Sequence, residues 1–312
     1  MDRRKFLTVL TPFVAGCFGG RREQPTTPDD SGTETPESTP TSTPEPTPTP
    51  TPGPSAEATE HIDAARDHLK EAVYVYAGGV TSDLTEVTAE SDEFRPRDVL
   101  LKLDAVQKSL YAAESAATTS KQRQTVESLK TVQRFLTHAT DLQSWLIDGH
   151  DAATSAYQEL EDDDLDAAID DLERIETTVS ETEPPLTTIT EETDAASMDA
   201  TNALSGENYS AKVTQLTNEQ SILEQLETHL TDVTDAVELI EDARSQENAG
   251  RYDAAADTAD QAYDLLSEAE EQLSGLADDP PERTDAFVDL LDDLAGTAAN
   301  YASEADRIAQ RN

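Results

Sequence analysis

Residues 121–161 read KQRQTVESLK TVQRFLTHAT DLQSWLIDGH DAATSAYQEL E. Val126, Leu129, Leu136, Ala139, Leu142, Leu146, Ala153 and Leu160 are spaced by threes, fours and sevens, so one apolar stripe persists along the whole stretch. No proline interrupts it. At about 1.5 Å per residue the stretch predicts a helix roughly 60 Å long. A stripe of that length is buried only against other long helices. The expected fold is therefore all-α, an elongated antiparallel bundle of about eight helices with internal duplication.

The neighbouring segments carry the same period. Ile62, Ala65, Leu69, Val73 and Tyr76 predict a helix that ends at Gly78-Gly79. Val99, Leu103, Val106, Leu110 and Ala113 predict another, with Pro96 in its first turn, where a missing N–H is harmless. Asp162-Asp163-Asp164 reads as a tight turn, after which Leu165, Ile169, Leu172, Ile175 and Val179 face back on a shorter helix. Pro184-Pro185 is expected to start the next helix, running to about Leu204.

Val126, Leu129 and Leu146 have counterparts 87 residues later in Val213, Leu216 and Val233, and Asp166-Ala167-Ala168 returns as Asp253-Ala254-Ala255. Prolines at 96, 184 and 280 recur at intervals of 88 and 96. Two units of long helix, turn, short helix and proline-started helix are expected, preceded by a partial unit at 55–118. The turn at Asn248 to Ala255, reading NAGRYDAA, resembles the hairpin inside a tetratricopeptide repeat. The 34-residue period of such arrays is absent, so the resemblance implies local hairpin geometry and no peptide groove.

The N-terminus carries an address. Arg3-Arg4-Lys5-Phe6-Leu7 is a twin-arginine pattern, and the apolar run from Phe6 to Gly16 spans eleven residues, too short to cross a membrane. Val14-Ala15-Gly16 places small residues before Cys17, the only cysteine. Residues 1–17 resemble a Tat export signal ending in a lipobox. Residues 18–54 form the expected stalk: from 23 to 54 there is no aliphatic or aromatic residue, and ten of the sixteen prolines lie there. Nothing in it can be buried, and as polyproline II it would reach on the order of 100 Å. The folded domain is expected at 55–312.

Acidic residues number 66 against 22 basic, a net charge of −44. Such a field excludes nucleic acid as a partner. Together with the periodic apolar residues it predicts a folded protein with a carboxylate-covered surface. With the signal and lipobox, the chain resembles the exported lipoproteins of halophilic archaea. That resemblance implies a lipid on Cys17, an extracytoplasmic location at the membrane face, and no disulfide within the chain.

Chemistry is sparse. There is no GxGxxG, no GxxxxGK[ST], no GxSxG and no HExxH. The histidines (His61, His68, His138, His150, His229) match no ligand spacing, and the Glu-x-x-His pattern of di-iron bundles is missing. Neither a metal, a cofactor nor a catalytic residue is expected. Asn208-Tyr209-Ser210 is the only N-x-[ST] sequon, a candidate N-glycosylation site in the turn before the second long helix. Trp145, Phe135 and Tyr157 are expected in the core. Tyr74, Tyr76 and Phe94 flank the irregular 78–95 segment, the first choice for a binding surface.

The expected function is non-enzymatic: a cell-surface, lipid-anchored helical protein that binds or scaffolds an exported or membrane protein. The alternative is a substrate- or metal-binding lipoprotein of a transport system. Its main weakness is the absence of strand patterns.

Overall fold

Gln122 binds the starts of two helices at once. Its amide nitrogen donates to the Ser55 carbonyl at 2.7 Å, and its amide oxygen accepts from the Ser55 N–H at 3.2 Å. Ser55 caps α1 (Ala56–Tyr76), while Thr119 and Gln122 form a capping box at the start of α3 (Ser120–Glu161). The two helices therefore start at the same end of the bundle. Between them α2 (Pro96–Ala116) runs back, with Pro96 in its first turn as expected.

The computed structural model describes residues 53–311. Arg3, Arg4, Cys17 and the stalk through residue 52 lie outside the described residues. Among the described residues there are eight α-helices and no strand. After α3 come α4 (Leu165–Glu192), the single turn α5 (Ala195–Met198), α6 (Gly206–Asn248), α7 (Tyr252–Asp278) and α8 (Val288–Arg311). The fold is an all-α bundle. Its hairpins are α1–α2, α3–α4 and α6–α7, and α8 packs on α7. The two longest helices, α3 and α6, touch each other and tie the hairpins together. No described helix is long and apolar enough to cross a membrane.

The α1, α2 and α3 stripes are buried where the period puts them: Ile62, Leu69 and Tyr76, then Val99, Val106 and Leu110, then Val126, Leu136, Leu146 and Leu160. Each fully buried Leu or Val contributes about 1.5–3 kcal/mol relative to exposure. In α7 the core positions are mostly Ala255, Ala259, Ala262 and Ala269, which bury less area per residue.

The expectation for the proline pair fails. Pro184-Pro185 does not begin a helix; it lies inside α4. The buried residues of α4 are Ala168, Asp171, Ile175, Thr178, Thr182, Pro185 and Ile189, an unbroken alternation of three and four. Pro185 occupies a core position in that seam. Each interior proline costs about 3 kcal/mol, and burial along a seam of seven positions keeps the helix continuous through both. The α4 segment from 165 to 179 is also turned from the expected face: Leu165, Ile169, Leu172 and Val179 flank the seam half-buried, and smaller residues fill it. Past Glu192 the chain makes only the short α5, so no helix runs to Leu204.

The 87-residue offset survives in geometry, without help from the prolines. Helices α3 and α6 have 42 and 43 residues, and α4 and α7 have 28 and 27. The turn after α3 has Asp164 N–H to Glu159 O at 2.9 Å and Asp163 N–H to Leu160 O at 3.3 Å. The turn after α6 has Arg251 N–H to Gln246 O and Gly250 N–H to Glu247 O, both 2.9 Å. Both are the paired bonds of a Schellman cap.

Gly149 lets three helices meet. A Cβ there would lie 2.5 Å from a Leu223 methyl of α6 and 3.0 Å from the Thr178 methyl of α4.

Candidate functional site

Helices α2 and α4 each pack on α3 and make little or no contact with each other. The gap between them is a groove of about 750 Å³. Helix α3 supplies its floor with His138, Asp141, Ser144, Trp145 and Asp148. Asp141, Trp145 and Asp148 are spaced by four and three, so a carboxylate sits one turn before and one turn after the indole. The α2 wall brings Pro96, Arg97, Leu100, Leu101 and Asp104, and the α4 wall brings Glu181, Pro184, Pro185 and Thr188. Leu101 is 60% exposed, and Trp145, the only tryptophan, is half-buried.

Two of the groove's carboxylates are set apart by desolvation. Burial raises the Asp141 pKa, partly offset by His138. Burial also raises that of Asp148, with repulsion from Asp151 adding and Arg174 offsetting. Neither Asp141, Asp148 nor Glu181 forms an ion pair with a described residue, whereas Asp104 pairs with Lys108 at 2.6 Å. Four carboxylates (Asp104, Asp141, Asp148 and Glu181) line the groove against one guanidinium, that of Arg97, and this excess of negative charge beside exposed apolar surface complements a ligand that is both cationic and apolar. This is the candidate site.

Trp145 thus departs from the expected core role. Phe135 keeps it, fully buried and edge-on to Tyr209 with ring centroids 4.7 Å apart. Tyr157 packs half-buried against the core. The groove was not legible in the sequence, because it lies between elements that are distant along the chain.

The expected binding surface at 78–95 is differently built. Tyr76 is wholly buried, Phe94 lies edge-on to it at 5.1 Å, and Tyr74 is 50% exposed. The three do not form one exposed patch, although all line a cavity of about 560 Å³. The segment is fastened as a strap across the bundle. Its residues Leu84, Val87 and Ala89 are buried.

Beneath the strap lies a polar cluster in the core. Lys212 and Glu219 of α6 are both 0% exposed. The Lys212 ammonium donates to the Val87 carbonyl at 2.7 Å, to Gln143 Oε1 at 2.6 Å and to Gln215 Oε1 at 3.1 Å. Gln215 Nε2 donates to the Val87 carbonyl at 3.1 Å and to Glu219 Oε1 at 3.0 Å. Lys212 lies 5.5 Å from the centre of the Tyr76 ring, close enough for a cation–π contact. Burial lowers the Lys212 pKa to about 8, against the pull of Glu219 and Asp83. Burial raises that of Glu219 to about 7, against Lys212, Gln215 and the Ala89 amide. A sequence signal did exist. Tyr209, Lys212, Leu216, Glu219, Leu223, Leu226 and Leu230 alternate threes and fours, so two charged residues occupy core register.

Asn208 lies in the first turn of α6, which begins at Gly206, so the sequon sits within the helix and not in the turn before it. Its side chain accepts from the Ser205 hydroxyl, and its N–H donates back to Ser205 Oγ at 3.1 Å. His150 bridges α3 to Ala286 O at 3.1 Å, and His229 faces Asp232 at 3.6 Å. Among the described residues, no three His, Cys, Asp or Glu side chains gather as a metal site would require.

Comparison with protein families, curated proteins and solved structures gives no match. The functional reading therefore rests on the chain's own residues.

Proposed function

We propose that this chain is a non-enzymatic, lipid-anchored protein of the extracytoplasmic membrane face, whose helical unit binds or scaffolds an exported or membrane protein. The observation that carries the binding role is the α2–α3–α4 groove, which leaves the only tryptophan half-buried between two carboxylates that form no ion pair. The anchor rests on Arg3-Arg4 and on Cys17 after Val14-Ala15-Gly16. A thioether-linked lipid on Cys17 would be the membrane attachment, stable if it carries two chains.

Two measurements test the reading. Cys17→Ser removes the acceptor sulfur, so the protein is expected in the medium or as uncleaved precursor. Membrane-bound protein with a processed N-terminus would defeat the anchor. Affinity capture of the full chain from detergent-treated membranes at about 1 M salt is expected to recover a defined partner. Failure to recover one would defeat the binding role.

A further inference from the structure

The groove's chemistry specifies what it takes. Its floor is a line along α3 in which Asp141 and Asp148 bracket Trp145, at rises of about 6 Å and 4.5 Å along the helix. Its walls combine Leu100 and Leu101 on α2 and Pro184 and Pro185 on α4 with a single cation, Arg97. Glu181 adds a third unpaired carboxylate on the α4 side. A small inorganic cation would leave the apolar walls wet, and a neutral apolar segment would strip water from the carboxylates without replacing it. A guanidinium or ammonium on an aliphatic stem satisfies both, with the stem against proline and leucine and the charge over the indole, between the carboxylates.

We propose that this groove docks a basic, leucine-containing peptide segment of the partner protein, with an Arg or Lys side chain seated on Trp145 between Asp141 and Asp148. The inference rests on the reading of the helical unit as a binding module and names the chemistry of its partner. Exposed charges more than a few ångströms apart are screened at about 1 M salt, whereas pairs in a partly desolvated groove are screened much less. The seat therefore works under conditions that cancel the attraction of the general acidic surface.

Trp145 is its own reporter, because the chain has no other tryptophan. The experiment titrates full-length protein at about 1 M salt with a synthetic peptide alternating arginine and leucine, following tryptophan emission. A saturable blue shift is expected. A control peptide with glutamate in place of every arginine should give none. Asp141→Asn combined with Asp148→Asn should weaken the arginine peptide at least about 10-fold, with helicity by circular dichroism unchanged. Both positions lie outside the core, and a comparison of the two peptides on wild-type protein needs no variant. An absent shift, equal affinity for the glutamate peptide, or undiminished affinity in the double variant would each overturn the proposal. In membrane capture, a partner held equally by wild type and double variant would reject the groove while leaving the scaffold function standing. No partner with either would reject that function itself.

Discussion

Asp163 and Gly250 stand 87 residues apart in the chain and hold the same left-handed backbone, φ 60° and 75°, at the same point of the same turn. One repeat uses a residue free of Cβ there and the other does not. Left-handed φ costs an L-residue about 1–2 kcal/mol, somewhat less for Asp, whose short polar side chain tolerates it.

Asp163→Gly is thus expected to stabilise the protein by about 0.5–1 kcal/mol, and Gly250→Ala to destabilise it by about 1 kcal/mol. Nothing lies within 4 Å of the Cβ that alanine would add at 250, so the second effect is purely backbone. Thermal unfolding of the two variants reads both signs, and two shifts in the same direction would contradict the equivalence of the turns.

Gly149→Ala should destabilise. Alanine gains roughly 1 kcal/mol in helix propensity. The added methyl, however, would lie 2.5 Å from Leu223 and 3.0 Å from Thr178, and overpacking costs about 1–3 kcal/mol. A net loss of about 1 kcal/mol is expected in denaturant unfolding. Gly149→Ala combined with Leu223→Ala should couple favourably, because the second change opens the space that the first needs.

The buried pair under the strap gives stability an unusual pH profile. Glu219 titrates near 7 in the folded chain and at 4.5 as a free side chain, so the folded state holds the extra proton between those values. Its contribution is full below 4.5 and is lost as pH rises through 7. Lys212 titrates near 8 folded against 10.5 free, so its contribution is full above 10.5 and is lost as pH falls through 8. The pair's contribution is lowest between pH 7 and 8. Subtracting the stability of Glu219→Gln from that of wild type should give a difference that declines by on the order of 2 kcal/mol from pH 4.5 to 7 and is flat below. A flat difference throughout would mean that the carboxyl is not desolvated.

Salt should govern the helices. If cleaved before Cys17, the chain keeps 65 acidic and 19 basic residues. Among described residues only eleven ion pairs form, mostly exposed, and one of these is to a histidine. Like charges at i,i+4 cost a few tenths of a kcal/mol each in dilute solution. Over dozens of neighbours this approaches the 5–15 kcal/mol stability of an ordinary domain. At about 1 M salt the screening length is roughly 3 Å. Circular dichroism should show cooperative helix above about 1 M that is lost at tens of millimolar. An unchanged melting temperature across the titration would refute a salt-dependent fold.

The bundle was legible in α1, α2 and α3, where large aliphatic side chains mark the buried stripe. Ile62 to Tyr76, Val99 to Ala113 and Val126 to Leu160 all predict buried faces that the fold buries. Legibility fails where the seam is built from other residues. In α4, Asp171, Thr178, Thr182 and Pro185 sit at buried positions, so Leu165, Ile169, Leu172 and Val179 pointed to a neighbouring face and the proline pair read as a boundary. Lys212 and Glu219 stand in the register of the α6 seam, where the leucines around them mark the stripe but a charged residue reads as solvent-facing. The groove is a gap between α2 and α4, which are separated by all of α3, and no local pattern encodes a gap.

The strap's attachment bears on how this chain can change over generations. Lys212 and Gln215 grip residue 87 through its main-chain carbonyl, an atom that every amino acid possesses. No substitution at Val87 can delete that acceptor, so packing limits which side chain stands there while the tether itself is inherited intact. The burden falls on the other partner: a single codon change at Lys212 removes the charged donor and leaves the Gln215 amide alone to hold the carbonyl.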